Sequence, residues 1–231
     1  MDKKTGLSQE GLKLIACVTM LIDHIGAAFV PWMWLRVVGR IAFPIYCFLL
    51  AEGAAYTRNP RKYGIRLGIG ALLSEIPFEL LFFGGLSLAH SSVMVTLLLG
   101  FLAIESMKKW PKMWPLAFLA CAFAAELLGT DYGGMGVMLM VFFGITRNKN
   151  RIFQTIGVFI ICWMIGGYGW QVGPVYVPME IVGVVAMLPI CLYNGKKATH
   201  SKAIQWAFYL FYPVHLTALL LYAVLKYGYL C

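Results

Sequence analysis

Charged side chains are scarce in this sequence of 231 residues, where they make up only 13% of the chain. A soluble domain carries about 25%, so roughly half of the usual charge is missing. The mean hydropathy is accordingly high, at +0.77. Apolar runs fill nearly the whole length, with no polar domain or linker between them. The composition excludes an ordinary soluble protein and predicts a single membrane domain over residues 1–231.

The signatures of several enzyme and binding classes are also missing. The cysteines form no CxxC pair, which disfavours a zinc site or a disulfide framework. There is no nucleotide-binding glycine loop and no serine nucleophile elbow. The net charge of +9 does not indicate nucleic-acid binding, because the basic residues fall in short clusters between apolar runs. We therefore expect no metal and no nucleic-acid partner.

Nine apolar segments approach the length of about 20 residues that a membrane-spanning helix needs. The first contains Asp23 and His24 and is too long for the apolar part of a signal peptide, so we expect it to be a retained span. The sixth is short, and the glycines before it indicate a broken or re-entrant start. The sequence thus predicts an all-α polytopic bundle of about nine transmembrane helices. Its segments are 12–30, 37–56, 67–83, 93–107, 113–129, 135–146, 152–169, 175–193 and 203–225.

The basic residues alternate between the two sides of this bundle. Cytoplasmic loops are rich in Lys and Arg, and 16 of the 19 basic residues fall on the side of the N-terminus. The predicted topology therefore has the N-terminus inside and the C-terminus outside. The residues on the inner side are Lys3, Lys4, Lys13, Arg58, Arg61, Lys62, Arg66, Lys108, Lys109, Lys112, Arg147, Lys149, Arg151, Lys196, Lys197 and Lys202.

Ionisable residues also occur inside the apolar segments, where each charge costs about 2.5–3.5 kcal/mol at a helix centre. Such residues are functional candidates, although hydrogen bonding between helices would equally explain any one of the glutamates. By their depth in the segments, His24, His215, Glu79, Glu126, Asp131 and Glu180 converge on the outer half of the bundle. The full set of ionisable residues is Asp23, His24, Arg40, Glu52, Glu75, Glu79, Glu126, Glu180 and His215, with Asp131 at the outer end of its segment.

The spacing of residues along the first segment predicts which of its side chains share a helix face. Asp23 points about 100° away from its neighbour His24, so we expect it to pair with Arg40 on another helix instead. Lys13 and His24 are eleven positions apart and share a helix face. Histidine titrates near neutral pH, which makes an intramembrane His24 a candidate general base.

Short motifs occur in order along nearly the whole chain: LIDHIG (21–26), GRIAFPI (39–45), EG (52–53), SEIPF (74–78), TLLLG (96–100), DYG (131–133), GV (136–137) and FYPVHL (211–216). Together these blocks resemble the TraX family, whose namesake is linked to acetylation of a pilin subunit. A more distant similarity is to membrane acyltransferases that O-acetylate surface polysaccharides and that have ten residues between a basic residue and a first-helix histidine. Lys13 and His24 show that spacing, with Lys in place of the commoner Arg.

The resemblance implies an acetyltransferase of the bacterial inner membrane that draws on cytoplasmic acetyl-CoA. His24, tuned by Asp23 and Arg40, is then expected to act as base or acetyl carrier on a pilin-like peptide, a glycan or a small molecule. A proton-coupled transporter is the alternative, since intramembrane acids and histidines also form proton relays. The residues expected to hold the phosphates of the donor are Lys13, Arg58, Arg61, Lys62 and Arg66, although topology alone would also explain this cluster. Those expected on the acceptor side are Glu75, Glu79, Asp131 and His215.

Overall fold

The structure, a computed structural model, describes residues 6–87, 89–198 and 201–228. Lys3, Lys4 and His200 lie outside these ranges. Most of the described chain is helical. The helices are α1 (Gln9–Ala28), α2 (Met33–Gly39), α3 (Ala42–Tyr56), α4 (Pro60–Phe83), α5 (Val93–Lys109), α6 (Trp114–Leu127), α7 (Gly133–Thr146), α8 (Arg151–Ile165), α9 (Met187–Cys191) and α10 (Lys202–Tyr227), with a 3₁₀ helix at Met179–Ala186 and strands β1 (Gly169–Val172) and β2 (Val175–Pro178). The two strands form a hairpin that connects α8 to the 3₁₀ helix.

The helix ends follow local capping chemistry. The Ser8 side chain caps α1 by accepting a hydrogen bond from the backbone N–H of Gly11 at 3.1 Å. Asn59 caps α4 in the same way, and Pro60 follows at the first helical position, where it needs no N–H partner. At its far end α4 stops at Gly84, which adopts a φ of +69° that favours glycine.

Helix α3 forms the centre of the bundle. It packs against α1, α5, α7 and the 3₁₀ helix, and most of its residues are buried. Helix α4 lies along α10, whereas α6 lies at the periphery against α5 and α7 with only Ala125 buried. Large apolar side chains cover the outside of the bundle, such as Leu72, Phe123 and Leu225.

Three helices of the described chain are long and apolar enough to cross a membrane: Gln9–Ala28, Met33–Tyr56 and Ala203–Tyr227. Together with the apolar exterior they indicate a membrane protein. The other apolar helices are shorter; α7, for example, has 14 residues and is about 21 Å long at 1.5 Å per residue. The count of nine spans and the orientation stay predictions.

The predicted eighth segment, residues 175–193, is wrong as a continuous α-helix. Its first residues form strand β2, which pairs antiparallel with β1, so the fold is nearly but not entirely all-α. Val172-Gly173-Pro174-Val175 makes the turn, with Gly173 at a φ of +59°. The β-branched and aromatic side chains of Val175, Tyr176 and Val177 favour this conformation. Helical structure starts only at Met179.

Other boundaries also differ from the expected segments. The seventh, predicted over 152–169, ends as α8 at Ile165, and Gly169 already belongs to strand β1. The second span starts at Met33 rather than residue 37 and breaks at Arg40–Ile41, between α2 and α3. The third starts at Pro60 rather than residue 67, so Arg61, Lys62 and Arg66 lie on the first turns of α4 instead of in a loop. Pro77, inside α4, does not end the helix.

Candidate functional site

Two histidines from opposite ends of the sequence meet inside the bundle. His24 of α1 and His215 of α10 are each 7% exposed. The His24 Nδ1 lies 2.7 Å from the His215 Nε2, and the rings stack with their centroids 4.9 Å apart and their planes 10° apart. The sequence predicts His24 as a catalytic residue and His215 as a residue of the acceptor side. The structure brings them into one hydrogen-bonded pair.

The backbone of α10 sets the direction of this hydrogen-bond chain. The His215 Nδ1 lies 2.7 Å from the carbonyl oxygen of Phe211, and a carbonyl can only accept. In a neutral pair His215 therefore carries its proton on Nδ1, and its Nε2 accepts from the Nδ1–H of His24. The Nε2 of His24 is left with a lone pair. Histidine 24 thus presents a basic nitrogen, held by a partner that fixes its tautomer.

Aromatic rings enclose the histidine pair. Phe82 and Tyr212 contact the His24 ring edge-on, with centroid distances of 5.4 and 5.8 Å. Tyr212 also contacts the His215 ring edge-on at 5.4 Å, and Phe211 stacks on it at 4.7 Å. This packing holds both imidazoles in a mostly apolar environment.

A cavity of about 250 Å³ reaches Tyr212, whose ring contacts both histidines, although neither histidine is among its described lining residues. Met20, Met94 and Tyr212 line its inner end, and Tyr212 joins it to the histidine pair. Its mouth lies where α1, α4 and α10 begin, about 15 Å from Tyr212 along α10. The residues along its walls are mainly apolar and aromatic: Tyr46, Leu49, Leu50, Tyr56, Tyr63, Leu67, Val93, Leu97, Phe208 and Tyr209.

Three basic side chains surround the mouth of the cavity: Lys13, Arg66 and Lys197. The Lys13 Nζ lies 5.1 Å from the centroid of the Phe208 ring, and the Arg66 guanidinium lies 5.3 Å from that of Tyr209. The predicted phosphate cluster is therefore divided: Lys13 and Arg66 line the cavity, whereas Arg58, Arg61 and Lys62 are exposed and are not among its described lining residues.

The loop after α9 carries Lys197 to the mouth. The N–H of Leu7 donates to the Leu192 carbonyl at 2.8 Å, and the N–H of Gln9 donates to the Lys196 carbonyl at 2.9 Å. Glu10 also accepts from the N–H of Ala198 at 2.5 Å. Lys197 was counted only as a topology marker in the sequence, because this pairing joins segments nearly 190 positions apart.

Asp23, adjacent to His24, belongs to a separate network of charges. Its Oδ1 accepts from the Arg40 Nη2 at 2.7 Å, as the helix geometry predicts, and its Oδ2 accepts from the Arg36 Nη1 at 2.6 Å. Arg40 makes a second ion pair with Glu180 at 2.5 Å. No contact between Asp23 and the His24 ring occurs among the described hydrogen bonds. The His24 ring hydrogen-bonds to His215 instead. The expected tuning of His24 by Asp23 and Arg40 therefore has no support from a described hydrogen bond to the ring.

Gly39 makes the Asp23 network possible at the break between α2 and α3. A Cβ at position 39 would lie 2.1 Å from the Asp23 Oδ1, well inside contact distance. Only glycine leaves room for the carboxylate between α1 and α2.

The acidic residues of α4 bind the loop that follows it. Glu75 accepts hydrogen bonds from the N–H and hydroxyl of Ser92, the latter at 2.6 Å. Glu79 accepts from the N–H of Ser87 at 2.6 Å. These contacts join the last turns of α4 to the start of α5, although the Glu79 Oε1 is buried with no partner among the described residues. The expected role of both residues at an acceptor site stays a prediction.

Asp131 lies in the turn before α7, close to the Asp23 network. Its side chain keeps accessible surface, yet burial among protein groups raises the pKa of its carboxyl from 3.8 to about 7, and nearby Arg40 opposes the shift. The next residue, Tyr132, stacks on Phe43 with centroids 3.6 Å apart, which fixes the turn against α3.

The apolar helices indicate a helical membrane protein. Its candidate catalytic centre is the buried histidine pair, which Tyr212 connects to a cavity with basic residues at its mouth. Residues 8–223 match the family described as TraX protein, so the chain belongs to the TraX family.

Two further comparisons agree with this assignment. The chain is 30% identical to a probable fimbrial assembly protein, FimC of serogroup H1 from Dichelobacter nodosus, over 95% of this chain and 97% of that protein. A shorter stretch of 66 residues, 26% of each chain, is 38% identical to uncharacterized protein RP591 of Rickettsia prowazekii. No solved structure matches the chain.

Proposed function

We propose that this protein is a membrane-embedded acetyltransferase, which moves an acetyl group from cytoplasmic acetyl-CoA to an acceptor amine or hydroxyl. One observation carries the proposal: a cavity with a basic mouth leads to the His24–His215 pair, in which the Nε2 of His24 keeps its lone pair. Membership of the TraX family, linked to pilin acetylation, supports the same reaction. The protein would lie in the bacterial inner membrane with nine spans and its N-terminus inside.

The donor side is supported by the charge and shape of the cavity. Phosphates of acetyl-CoA would bind Lys13, Arg66 and Lys197 at the mouth, since cationic side chains are the usual partners of phosphate. The mouth lies at the helix ends that the distribution of basic residues assigns to the cytoplasm. The narrow, largely apolar channel suits the thin pantetheine arm, which would carry the thioester to Tyr212 and His24.

The chemistry needs one proton acceptor and no redox partner. The acceptor amine or hydroxyl attacks the thioester carbonyl carbon while its proton passes to the Nε2 of His24. The tetrahedral intermediate then collapses: the C–S bond breaks, and the coenzyme A thiolate takes the proton back from His24. His215 keeps the His24 ring oriented during both steps by accepting from its Nδ1–H.

The acceptor would approach from the outer side, where Asp131 and the α4 acids lie. The Asp131 carboxyl offers hydrogen-bonding oxygens to an amine or a hydroxyl. The fimbrial assembly protein from Dichelobacter nodosus, similar over nearly its whole length, makes a pilin-like peptide one acceptor class. A glycan hydroxyl and a small metabolite are the others.

A single experiment with two variants tests the donor site and the base separately. Purified protein in lipid nanodiscs is given radiolabelled acetyl-CoA, with the amine probe glycylglycine and the hydroxyl probe N-acetylglucosamine. We expect His24→Ala to lose turnover by about 10²–10⁴-fold, the usual contribution of a general base, while still binding acetyl-CoA. We expect Lys197→Ala to weaken acetyl-CoA binding and to keep turnover at saturating donor.

Arg61→Ala is the matched control, because Arg61 is a basic residue at the same end of the bundle that does not line the cavity. Its acetyl-CoA binding should stay at the level of the unmodified chain. Near-normal turnover of His24→Ala, or no binding of acetyl-CoA by the unmodified protein, would contradict the proposal. Proton-driven solute uptake without acetyl transfer would favour a transporter instead.

A further inference from the structure

Tyr212 carries a buried hydroxyl that the fold leaves unused. The residue is 4% exposed, and its hydroxyl has no hydrogen-bond partner among the described residues. Buried polar groups nearly always have a partner, so each exception needs an explanation. Tyr46, another tyrosine of the cavity wall, differs in this respect: its hydroxyl lies 3.2 Å from the Cys17 Sγ. The free hydroxyl is thus a property of Tyr212 and not of the cavity wall in general.

Tyr212 lies between the cavity and the histidine pair. Tyr212 lines the inner end of the cavity, and its ring contacts both imidazoles edge-on. Residues three apart share a helix face, so Tyr212 and His215 project from α10 in the same direction. The Tyr212 side chain therefore lies where the cavity ends and the histidine pair begins.

The charges around Tyr212 leave it free to act as a donor. Asp131, Glu75 and Asp23 all lie within electrostatic range of it. Asp23 is held by Arg36 and Arg40, and Glu75 accepts from the hydroxyl and N–H of Ser92. None of the three carboxylates hydrogen-bonds the Tyr212 hydroxyl, so no described protein group takes its proton.

We propose that Tyr212 is the oxyanion donor of the reaction, whose O–H donates to the thioester carbonyl oxygen of acetyl-CoA. This inference rests on the proposed acetyl transfer. When the acceptor attacks, the C=O π electrons move onto that oxygen, and the hydrogen bond stabilises the negative charge that develops there. As the C–S bond breaks the carbonyl re-forms, and Tyr212 keeps its proton throughout. His24 and Tyr212 thus act on different atoms of the same intermediate.

Tyr212→Phe tests this role, because it removes one oxygen atom and keeps the ring that packs on both histidines. Thiol release from acetyl-CoA is followed in nanodiscs with glycylglycine and with N-acetylglucosamine as acceptors. We expect kcat to fall by about 10²–10³-fold, as for other single oxyanion donors. The KM for acetyl-CoA and the melting temperature should stay close to those of the unmodified protein.

Tyr222→Phe is the matched control on the same helix. Tyr222 is 49% exposed and packs on Phe29, away from the cavity, so its kcat should not change. If kcat of Tyr212→Phe stays within about twofold of the unmodified protein while His24→Ala is inactive, the oxyanion role is overturned and the acetyltransferase stands. If the unmodified protein neither binds nor cleaves acetyl-CoA, both are overturned.

Discussion

Asp23 and His24 are neighbours in the sequence, yet they belong to two regions with opposite character. Asp23 belongs to a network of charges in which both of its carboxylate oxygens accept hydrogen bonds, one from Arg36 and one from Arg40. His24 enters a hydrogen-bonded pair in which, with both rings neutral, one of its ring nitrogens is bound and the other keeps a lone pair. The angle of about 100° between successive helical residues separates the two environments.

The contrast distinguishes polar groups that hold the bundle together from polar groups that remain able to react. A carboxylate that is fully paired with guanidinium groups stabilises the packing of α1 on α2 and has little capacity left for a substrate. The histidine pair and the Tyr212 hydroxyl keep unused atoms beside a cavity. Three variants test this division, beginning with the largest expected effect.

Asp23→Asn should destabilise the protein by about 3–5 kcal/mol, the usual cost of removing one partner from a buried ion pair. The substitution keeps the shape of the side chain and leaves Arg36 without its carboxylate. The free energy of unfolding in mixed micelles, from titration with sodium dodecyl sulfate, measures the effect. Glu105→Gln makes the same chemical change at the exposed Lys108–Glu105 pair and should cost no more than about 1 kcal/mol.

The opposite outcome would place Asp23 with the reacting groups. If Asp23→Asn unfolds like the unmodified protein and yet loses acetyl transfer, the charge of Asp23 acts on the chemistry, as the sequence analysis expects. The distinction between structural and reactive polar groups would then not hold for Asp23.

His215→Gln should lower kcat by about 10–100-fold, a usual range for a residue that orients a functional group. The amide lacks the rigid ring that holds the acceptor atom in place between Phe211 and His24, so the His24 ring is less firmly oriented. His90→Gln is the control, since His90 is exposed and stacks on Phe83 at the surface. A loss as large as that of His24→Ala would show that His215 takes part in proton transfer rather than in positioning.

Asp131 should give a smaller effect that depends on pH. Its carboxyl titrates at about 7 in the folded chain, against an ordinary value of 3.8 for its pKa. Between these values the folded state holds a proton that the unfolded state has released, so the contribution of Asp131 to stability falls as pH rises from about 4 to about 7. The melting temperature of Asp131→Asn should therefore decline less over this range than that of the unmodified protein. Parallel curves for the two proteins would contradict the shifted titration.

Much of the helical fold could be predicted from composition and apolar runs. Segment 93–107 corresponds to α5 (Val93–Lys109), and segment 203–225 corresponds to α10 (Lys202–Tyr227), because apolar residues fill these helices and polar ones flank them. Residues 175–178 were misassigned because an apolar β-strand and an apolar helix have the same composition over a few residues. The start of α4 was missed because four basic residues resemble a loop, although Pro60 after Asn59 is a helix-start signal.

The site was partly predictable. Residue types and spacing identified His24 as a candidate and paired Asp23 with Arg40. Tyr212 was overlooked, although its position three residues before His215 is visible in the sequence. Lys197 could not have been assigned to the cavity, because it is placed there by backbone pairing between the residues before α1 and the loop after α9.

The sequence by itself determined that this is a helical membrane protein of the TraX family, because apolar run lengths and local motifs are properties of neighbouring residues. Only the tertiary structure decided that His24 hydrogen-bonds to His215. It also decided which three cations surround the cavity. The physical reason is that hydrogen bonds and ion pairs act over about 3 Å, and only folding brings residues 191 positions apart to within that distance.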